Sequence, residues 1–229
     1  MATPLDASTL GLLARTPLFE GVDAAELSRL LPRLRAHVGT YAQGESILRS
    51  GSPVRELGLV MEGAVVIESV DAWGGTALLA RVGAERVFAE AYACVPDEPL
   101  MVDVLAAEPA TILFVDVGRA TDPSAEDDPA ARRVAANLLG TLARQSLALA
   151  RRAANTAPKT IRGKALSYLS DQARLSGSSS FEIPLDRQQL ANYLGVDRSA
   201  LSAELSRMRA DGLIAYRRSS FTLLRDPSL

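Results

Sequence analysis

LDRQQLANYLGVDRSALSAELSRMRADGLI, residues 185–214, decides how this chain is read. Its spacing predicts two short helices around a tight turn. In the first, Leu190 and Leu194 stand four residues apart and face inward. Gly195 has the backbone freedom to stop that helix, and Val196 can anchor the turn beneath it. Asp197 is suited to cap the second helix, whose inward face is Leu201, Leu205 and Met208, and Gly212 closes it. The opposite face carries Arg198, Ser199, Ser202, Ala203 and Ser206, all small or hydrogen-bonding. Such a helix-turn-helix can lay its second helix in a DNA major groove, with its N-terminal residues on base edges. A helical hairpin packed into a core has little need of so narrow a polar face beside a Gly-turn-Asp cap.

Charge points to the same end of the chain. A net charge of −2 conceals 9 Lys and Arg against 20 Asp and Glu in residues 1–128, and 16 against 7 in residues 129–229. The second half, at +9, can neutralise phosphates, whereas the first, at −11, would repel them. At 229 residues, 48% hydrophobic and 23% charged, the chain reads as globular, with length for one large or two modest domains. No run approaches about 18 apolar residues, so no transmembrane helix is expected. MATPLDASTL has neither a basic start nor an apolar core, so no secretory signal is expected either, and the cytoplasm is the simplest address.

The periodicity changes along the chain. Residues 8–37 read as helical, broken at Pro17, with a cap at Asp23 before Leu27, Leu30, Leu31 and Leu34. From Val38 to Asp116 short strand-like runs follow at close spacing with glycines at the corners: SILRS, ELGLVMEG, AVVIESV, TALLARV, MVDVLA and TILFVDV. Many short strands with regular turns predict a β-roll or sandwich rather than a parallel sheet, with a hairpin tip at Trp73-Gly74-Gly75. An acidic connection, Gly118 to Asp128, leads into a long helix over about 129–156. Its stripe Val134, Leu138, Leu142, Gln145, Leu149 and Ala153 suits helix pairing across a dimer, although packing on the roll would give a similar pattern. Ala157-Pro158 ends this helix and marks a hinge. A helix to Leu175, a strand FEIPL, the helix-turn-helix and a hairpin with Arg217 and Arg218 at its tip complete the chain. The fold class is therefore α+β, in three parts: residues 1–128, 129–157 and 158–229.

This order of parts resembles the Crp-Fnr superfamily of bacterial transcription regulators over almost the whole chain. The likeness rests on TPLFEGVDAAELSRLL, QGESILRSGS, LGLVMEGAVVI, VGAERVFAEA, the long helix and LANYLGVDRSALSAELSRMRADGLI. It implies an effector-sensing N-terminal β-roll (double-stranded β-helix, or jelly roll), a dimerising central helix and a winged helix-turn-helix. It further implies a homodimer that binds palindromic double-stranded DNA and works with RNA polymerase. By position, Arg198 and Ser199 would reach base edges, with Ser202 one turn further on and Ser206 on the same face. Arg187 and Gln188 would meet phosphate, Asp197 would open the recognition helix, and Arg217 and Arg218 would approach the backbone from the wing. The dimer helix would pair through Val134, Leu138, Leu142 and Leu149.

Two departures from the family pattern bear on function. Ala203 stands where the family often has an arginine, and a bidentate arginine–guanine contact carries about 1–3 kcal/mol of discrimination. Cyclic-nucleotide-binding members carry a Gly-Glu pair and then an Arg-Ser pair that meets the cyclic phosphate. Here the pairs are Ala89-Glu90 and Leu100-Met101, and a phosphate buried without its arginine is poorly compensated. The expected effector is therefore not cAMP or cGMP. Phe88, Glu90, Tyr92, Leu100 and Met101, with Val102, suggest an apolar pocket for a small organic molecule. Cys94 is the only cysteine and His37 the only histidine, so neither an iron–sulfur centre, a metal site nor haem is expected. Cys94 reads either as a redox-sensitive thiol or as a buried structural one. A single histidine also argues against a metal-dependent roll enzyme or a hydrolytic triad, and no P-loop or dinucleotide turn is present. The alternatives that remain are a redox- or ligand-independent regulator, and a partner-binding signalling protein with a vestigial sensor.

Overall fold

The computed structural model describes residues 6–70, 73, 75–95, 97–120, 122 and 128–224. The chain divides into two compact units, Met1–Ala143 and Arg144–Leu229, and the division runs through a helix.

The first unit opens on α1 (Ala7–Leu13), capped by Asp6, and α2 (Ala24–Arg33), whose Asp23 and Glu26 form a reciprocal capping box. Eight short strands follow: β1 (His37–Tyr41), β2 (Ser46–Leu48), β3 (Leu57–Glu62), β4 (Ala64–Val70), β5 (Thr76–Gly83), β6 (Val87–Phe88), β7 (Asp103–Ala106) and β8 (Ala110–Val115). They form two four-stranded sheets in the orders β1-β8-β3-β6 and β2-β7-β4-β5, with antiparallel neighbours. This is the α+β class with the N-terminal roll that the short strands imply. Val60, Val65, Phe88, Val104, Ile112 and Phe114 fill a core drawn from both sheets. The Phe88 ring lies so close to Gly58 that a Cβ there would sit 2.1 Å from it, so the roll accepts only glycine at that point. The two-residue β6 is too short to leave a periodic signal. His37 begins β1, where it is exposed and stacks on Phe114 at 5.1 Å. At the expected hairpin tip Trp73 is exposed, while residues 71, 72 and 74 lie outside the described residues. So do residues 121 and 123–127 of the acidic connection.

After β6, Ala89 takes φ 59° and starts the short α3 (Glu90–Cys94). Left-handed backbone costs a residue with a Cβ about 1–2 kcal/mol, so this corner is strained.

Asp128 caps α4 (Pro129–Thr156), accepting the N–H groups of Ala130 and Ala131 and pairing with Arg33. The expected pairing stripe is divided. Val134 and Leu138 are buried in the core that α2 forms with β3 and β8, and Leu142 packs against that core; of the four, only Leu149 is exposed. The helix carries two apolar faces, and the first unit covers the one that the sequence pattern assigns to a partner. The exposed face holds Leu139, Ala143, Leu147, Ala150 and Ala154.

The second unit contains the end of α4, α5 (Ile161–Ser176), β9 (Ser180–Glu182), α6 (Arg187–Leu194), α7 (Arg198–Ala210), β10 (Ile214–Arg217) and β11 (Ser220–Leu223). The strands pair antiparallel in the order β10-β11-β9. β9 stops before Pro184, which has no N–H to extend the ladder. Ala157-Pro158 does end α4, but the turn before it is fastened down. Asn155 is buried; its amide donates to the Tyr193 hydroxyl at 3.2 Å and accepts from Ser167 at 3.0 Å, while Arg152 lies over the Tyr193 ring. A pivot at Ala157-Pro158 would have to break these bonds. Burial with Tyr193 and Asp171 nearby pushes the neighbouring Tyr168 hydroxyl up to about 12, so it stays neutral in this core.

Replacing Ala89 with glycine is expected to relieve the strain at α3. Chemical denaturation of Ala89→Gly should show a gain of about 1 kcal/mol, because glycine incurs no steric penalty at positive φ.

Candidate nucleic-acid interface

Each helix of the 185–214 stretch is closed at both ends. Asp186 accepts from the Gln189 N–H at 2.8 Å and donates its own N–H to the Gln189 side chain at 2.9 Å, which starts α6. Gly195, at φ 62°, ends it, and the Lys164 ammonium donates to the Leu194 carbonyl at 3.1 Å. Two residues later Asp197 starts α7 by accepting from the Ala200 N–H at 2.9 Å and the Ser199 hydroxyl at 2.5 Å. These bonds, the Ser199 hydroxyl foremost, hold the Asp197 carboxyl below its usual range. Asp197 thus serves as a cap, and in this state the Ser199 proton is committed to it.

Leu201, Leu205 and Met208 are fully buried, together with Leu190, Ala191 and Leu194 of α6. Arg198, Ser199, Ala203 and Ser206 are exposed on α7 and Ser202 is half-buried. Ser202 and Ser206 donate to the carbonyls one turn back, at 2.9 and 3.0 Å. The hydroxyls can rotate outward, so this face offers a guanidinium and several hydroxyls without any large apolar group.

Glu204, which the sequence pattern does not single out, is the buried carboxylate of the unit. It accepts from Arg162 of α5 and from Arg207, each at 2.6 Å, and Arg162 also pairs with Asp211 at 2.8 Å. This network ties the recognition helix to α5. Its one signal in the sequence is an acidic residue between Ala203 and Leu205 on a helix otherwise studded with arginine, recognisable only once α5 is placed beside it.

The remaining expected residues divide by role. Gln188 is exposed and donates to Asn192 at 2.9 Å. Arg217 and Arg218 are exposed at the β10–β11 turn, with Arg218 at φ 54°. Arg187 lies over two aromatic rings, 5.2 Å from the Tyr216 centroid and 5.7 Å from that of Phe221. Burial lowers its pKa, with Tyr216 opposing the shift.

In the first unit the five expected effector residues differ in exposure. Phe88 and Leu100 are buried in the roll, Glu90 is buried, Tyr92 is half-buried and Met101 is 70% exposed. The Tyr92 hydroxyl accepts from the Met101 N–H at 3.4 Å. A cavity of about 740 Å³ opens elsewhere, between α1 and strands β1, β3 and β8, lined in part by Thr9, Leu12, Val38, Met61, Glu62 and Thr111. That volume is in the range of small-molecule sites. Cys94 is exposed, not buried, and partial burial of its sulfur with Glu90 nearby pushes its thiol up, away from the reactive thiolate. Among the described residues no group of three or more His, Cys, Asp or Glu could hold a metal ion, and no helix is long and apolar enough to cross a membrane.

Residues 38–121 match the model of the cyclic nucleotide-binding domain, and residues 163–229 match that of the Crp-like helix-turn-helix domain. The two matches fall in the order, and on the elements, just described. The chain belongs to the Crp-Fnr superfamily. As a Crp-type protein it is a transcription regulator with a sensor domain and a DNA-binding domain. Similar solved structures agree in fold. The OCPA-complexed form of CprK has a TM-score of 0.55 at 14% identity, covering 86% of this chain and 89% of that one. The c-di-GMP responsive global regulator CLP of Xanthomonas campestris has a TM-score of 0.51 at 20% identity, with 89% and 100% covered. DNR of Pseudomonas aeruginosa has 0.50 at 20%, with 99% and 97% covered. The comparison with curated proteins finds no match.

The capping geometry of this Crp-Fnr member has a pH signature. A depressed carboxyl contributes stability above its unfolded pKa and loses it as pH falls through the lower folded value. In an NMR titration the Asp197 carboxyl should therefore titrate below 3.8, and Ser199→Ala should move it back toward that value.

Proposed function

We propose that this protein is a homodimeric, sequence-specific DNA-binding regulator that reads a palindromic site with α7 and is gated by a small-molecule effector other than cAMP. The observation that carries the reading is the outward face of α7. Arg198 and Ser199 stand at its N-terminus beside Ser202 and Ser206, on a helix held rigidly by Gly195, Asp197 and Glu204. Arg198 is placed as a helix start must be to reach base edges, and Arg217 and Arg218 at the wing tip suit the phosphate backbone.

The dimer is assigned to the exposed stripe Leu139, Ala143, Leu147, Ala150 and Ala154, whose steps of four, four, three and four follow a helix-pairing seam. Two such subunits would present their recognition helices about 34 Å apart, one turn of DNA. The regulator would act in the cytoplasm by recruiting or obstructing RNA polymerase.

For the effector, Leu100 and Met101 supply no cation for a cyclic phosphate, and Ala89 replaces the flexible residue before Glu90. CprK is described as complexed with OCPA and CLP as responsive to c-di-GMP, so proteins of this fold are described with different ligands. Partial burial and the nearby Glu90 push the Cys94 thiol up, which weighs against a reactive thiolate there.

The test is a footprint on the DNA upstream of the protein's own gene, with and without a small-molecule extract of its cells. A protected palindrome that depends on the extract and is indifferent to added cAMP is expected; protection by cAMP alone would overturn the effector assignment. Arg198→Ala should cost about 1–3 kcal/mol at one base pair of the half-site while leaving the salt dependence nearly unchanged. Leu147→Glu should give a folded monomer by light scattering that binds half-sites only weakly, because Leu147 is 58% exposed in the single chain and no core is disturbed.

A further inference from the structure

Tyr216, on the first wing strand, joins three elements of the second unit. Its ring stacks on Phe221, its register partner on β11, with centroids 5.5 Å apart. The guanidinium of Arg187, the first residue of α6, lies 5.2 Å from the Tyr216 centroid, and that of Arg209, in the last turn of α7, lies at the same distance from it. The Tyr216 hydroxyl is also 3.4 Å from the Ser206 hydroxyl on α7. One ring therefore gathers two guanidiniums from two helices.

Neither of those arginines forms a salt bridge among the described residues. The contrast within the same unit is informative: Arg162, Arg174 and Arg207 each have a carboxylate within 2.8 Å. Each guanidinium is attracted to the ring's quadrupole, which holds the side chain without neutralising its charge. An anion approaching both would complete the arrangement. A guanidinium fork matches phosphate oxygens, and a planar ring beneath it restricts the side chain to few rotamers before binding.

Building on the DNA-binding reading above, we infer that Arg187 and Arg209 form a paired phosphate clamp for duplex DNA, with Tyr216 as the positioning residue that holds both. The clamp is independent of base sequence. It sets how deeply α7 enters the groove, because Arg187 begins the first helix, Arg209 lies at the end of the second and Tyr216 belongs to the wing. Arg209 and Tyr216 thereby join the interface, and Arg187 acts from an aromatic platform rather than as a solvated side chain.

The experiment measures binding of the full-length protein to a generic 30-base-pair duplex over a salt series, for wild type, Tyr216→Phe, Tyr216→Leu and Arg209→Gln. Each lost phosphate contact lowers the slope of log K against log salt by about 0.9. Tyr216→Phe keeps the ring and should keep the slope. Tyr216→Leu should lower the slope by between one and two contacts, and Arg209→Gln by about one. A Tyr216→Leu protein with the wild-type slope and an unchanged unfolding midpoint overturns the clamp. So does a Tyr216→Phe protein as defective as Tyr216→Leu, since that would assign the effect to the hydroxyl bond with Ser206. Should Tyr216→Leu fail to fold, Arg209→Gln decides alone: a slope lower by about one supports the clamp and an unchanged slope overturns it. Wild-type protein that binds no duplex at all overturns the DNA-binding reading itself, an outcome distinct from variants that bind as well as wild type.

Discussion

The left-handed turn at Gly195 is the constraint on which the second unit depends. Two residues separate the end of α6 from Asp197, so the chain must reverse its course within a single turn. Glycine at φ 62° does this without steric cost, and the Gly195 and Val196 N–H groups close onto carbonyls of α6. Only with that turn in place do Leu190 and Leu194 meet Leu201, Leu205 and Met208 in one core. The polar face of α7 follows from the burial of the opposite one.

Around this core the charges are sorted by geometry. Arg162 and Arg207 are neutralised by Glu204 and Asp211, and they serve to hold α7 against α5. Arg198, Arg217 and Arg218 are exposed and form no salt bridge among the described residues. A C-terminal half that carries +9 therefore uses part of its positive charge internally, while the α7 face, the wing tip and the Tyr216 platform hold arginines without a salt bridge among the described residues. Net charge states how much is present, and the ion pairs decide how much remains for a polyanion.

The first unit has the architecture of a cyclic nucleotide-binding domain, with Ala89-Glu90 and Leu100-Met101 at the two positions discussed above. Ala89 adopts a backbone conformation suited to glycine, and Phe88 beside it is locked under Gly58 in the roll core. Phe88 packs in the roll core and Leu100 is buried, whereas Met101 is exposed, so the residues of this apolar stretch differ in their surroundings.

Local rules made much of this protein legible from its sequence. The Leu190–Met208 spacing, Gly195 and the Asp197 cap specify a helix-turn-helix because helix period and capping act within a few residues. Short strands punctuated by glycine specify a roll for the same reason, and Pro129 and Pro158 bracket α4 almost to the residue. Which face of α4 is buried was not legible, since both Val134-Leu138 and Leu139-Leu147 satisfy a helical stripe. The answer depends on α2, β3 and β8, distant in sequence, covering the first of them. The fastening of Asn155 to Tyr193 and Ser167, the burial of Glu204 between two arginines and the gathering of Arg187 and Arg209 on Tyr216 are likewise decided by tertiary structure alone. Each joins residues from separate elements, and no local periodicity encodes which side chains those elements bring together.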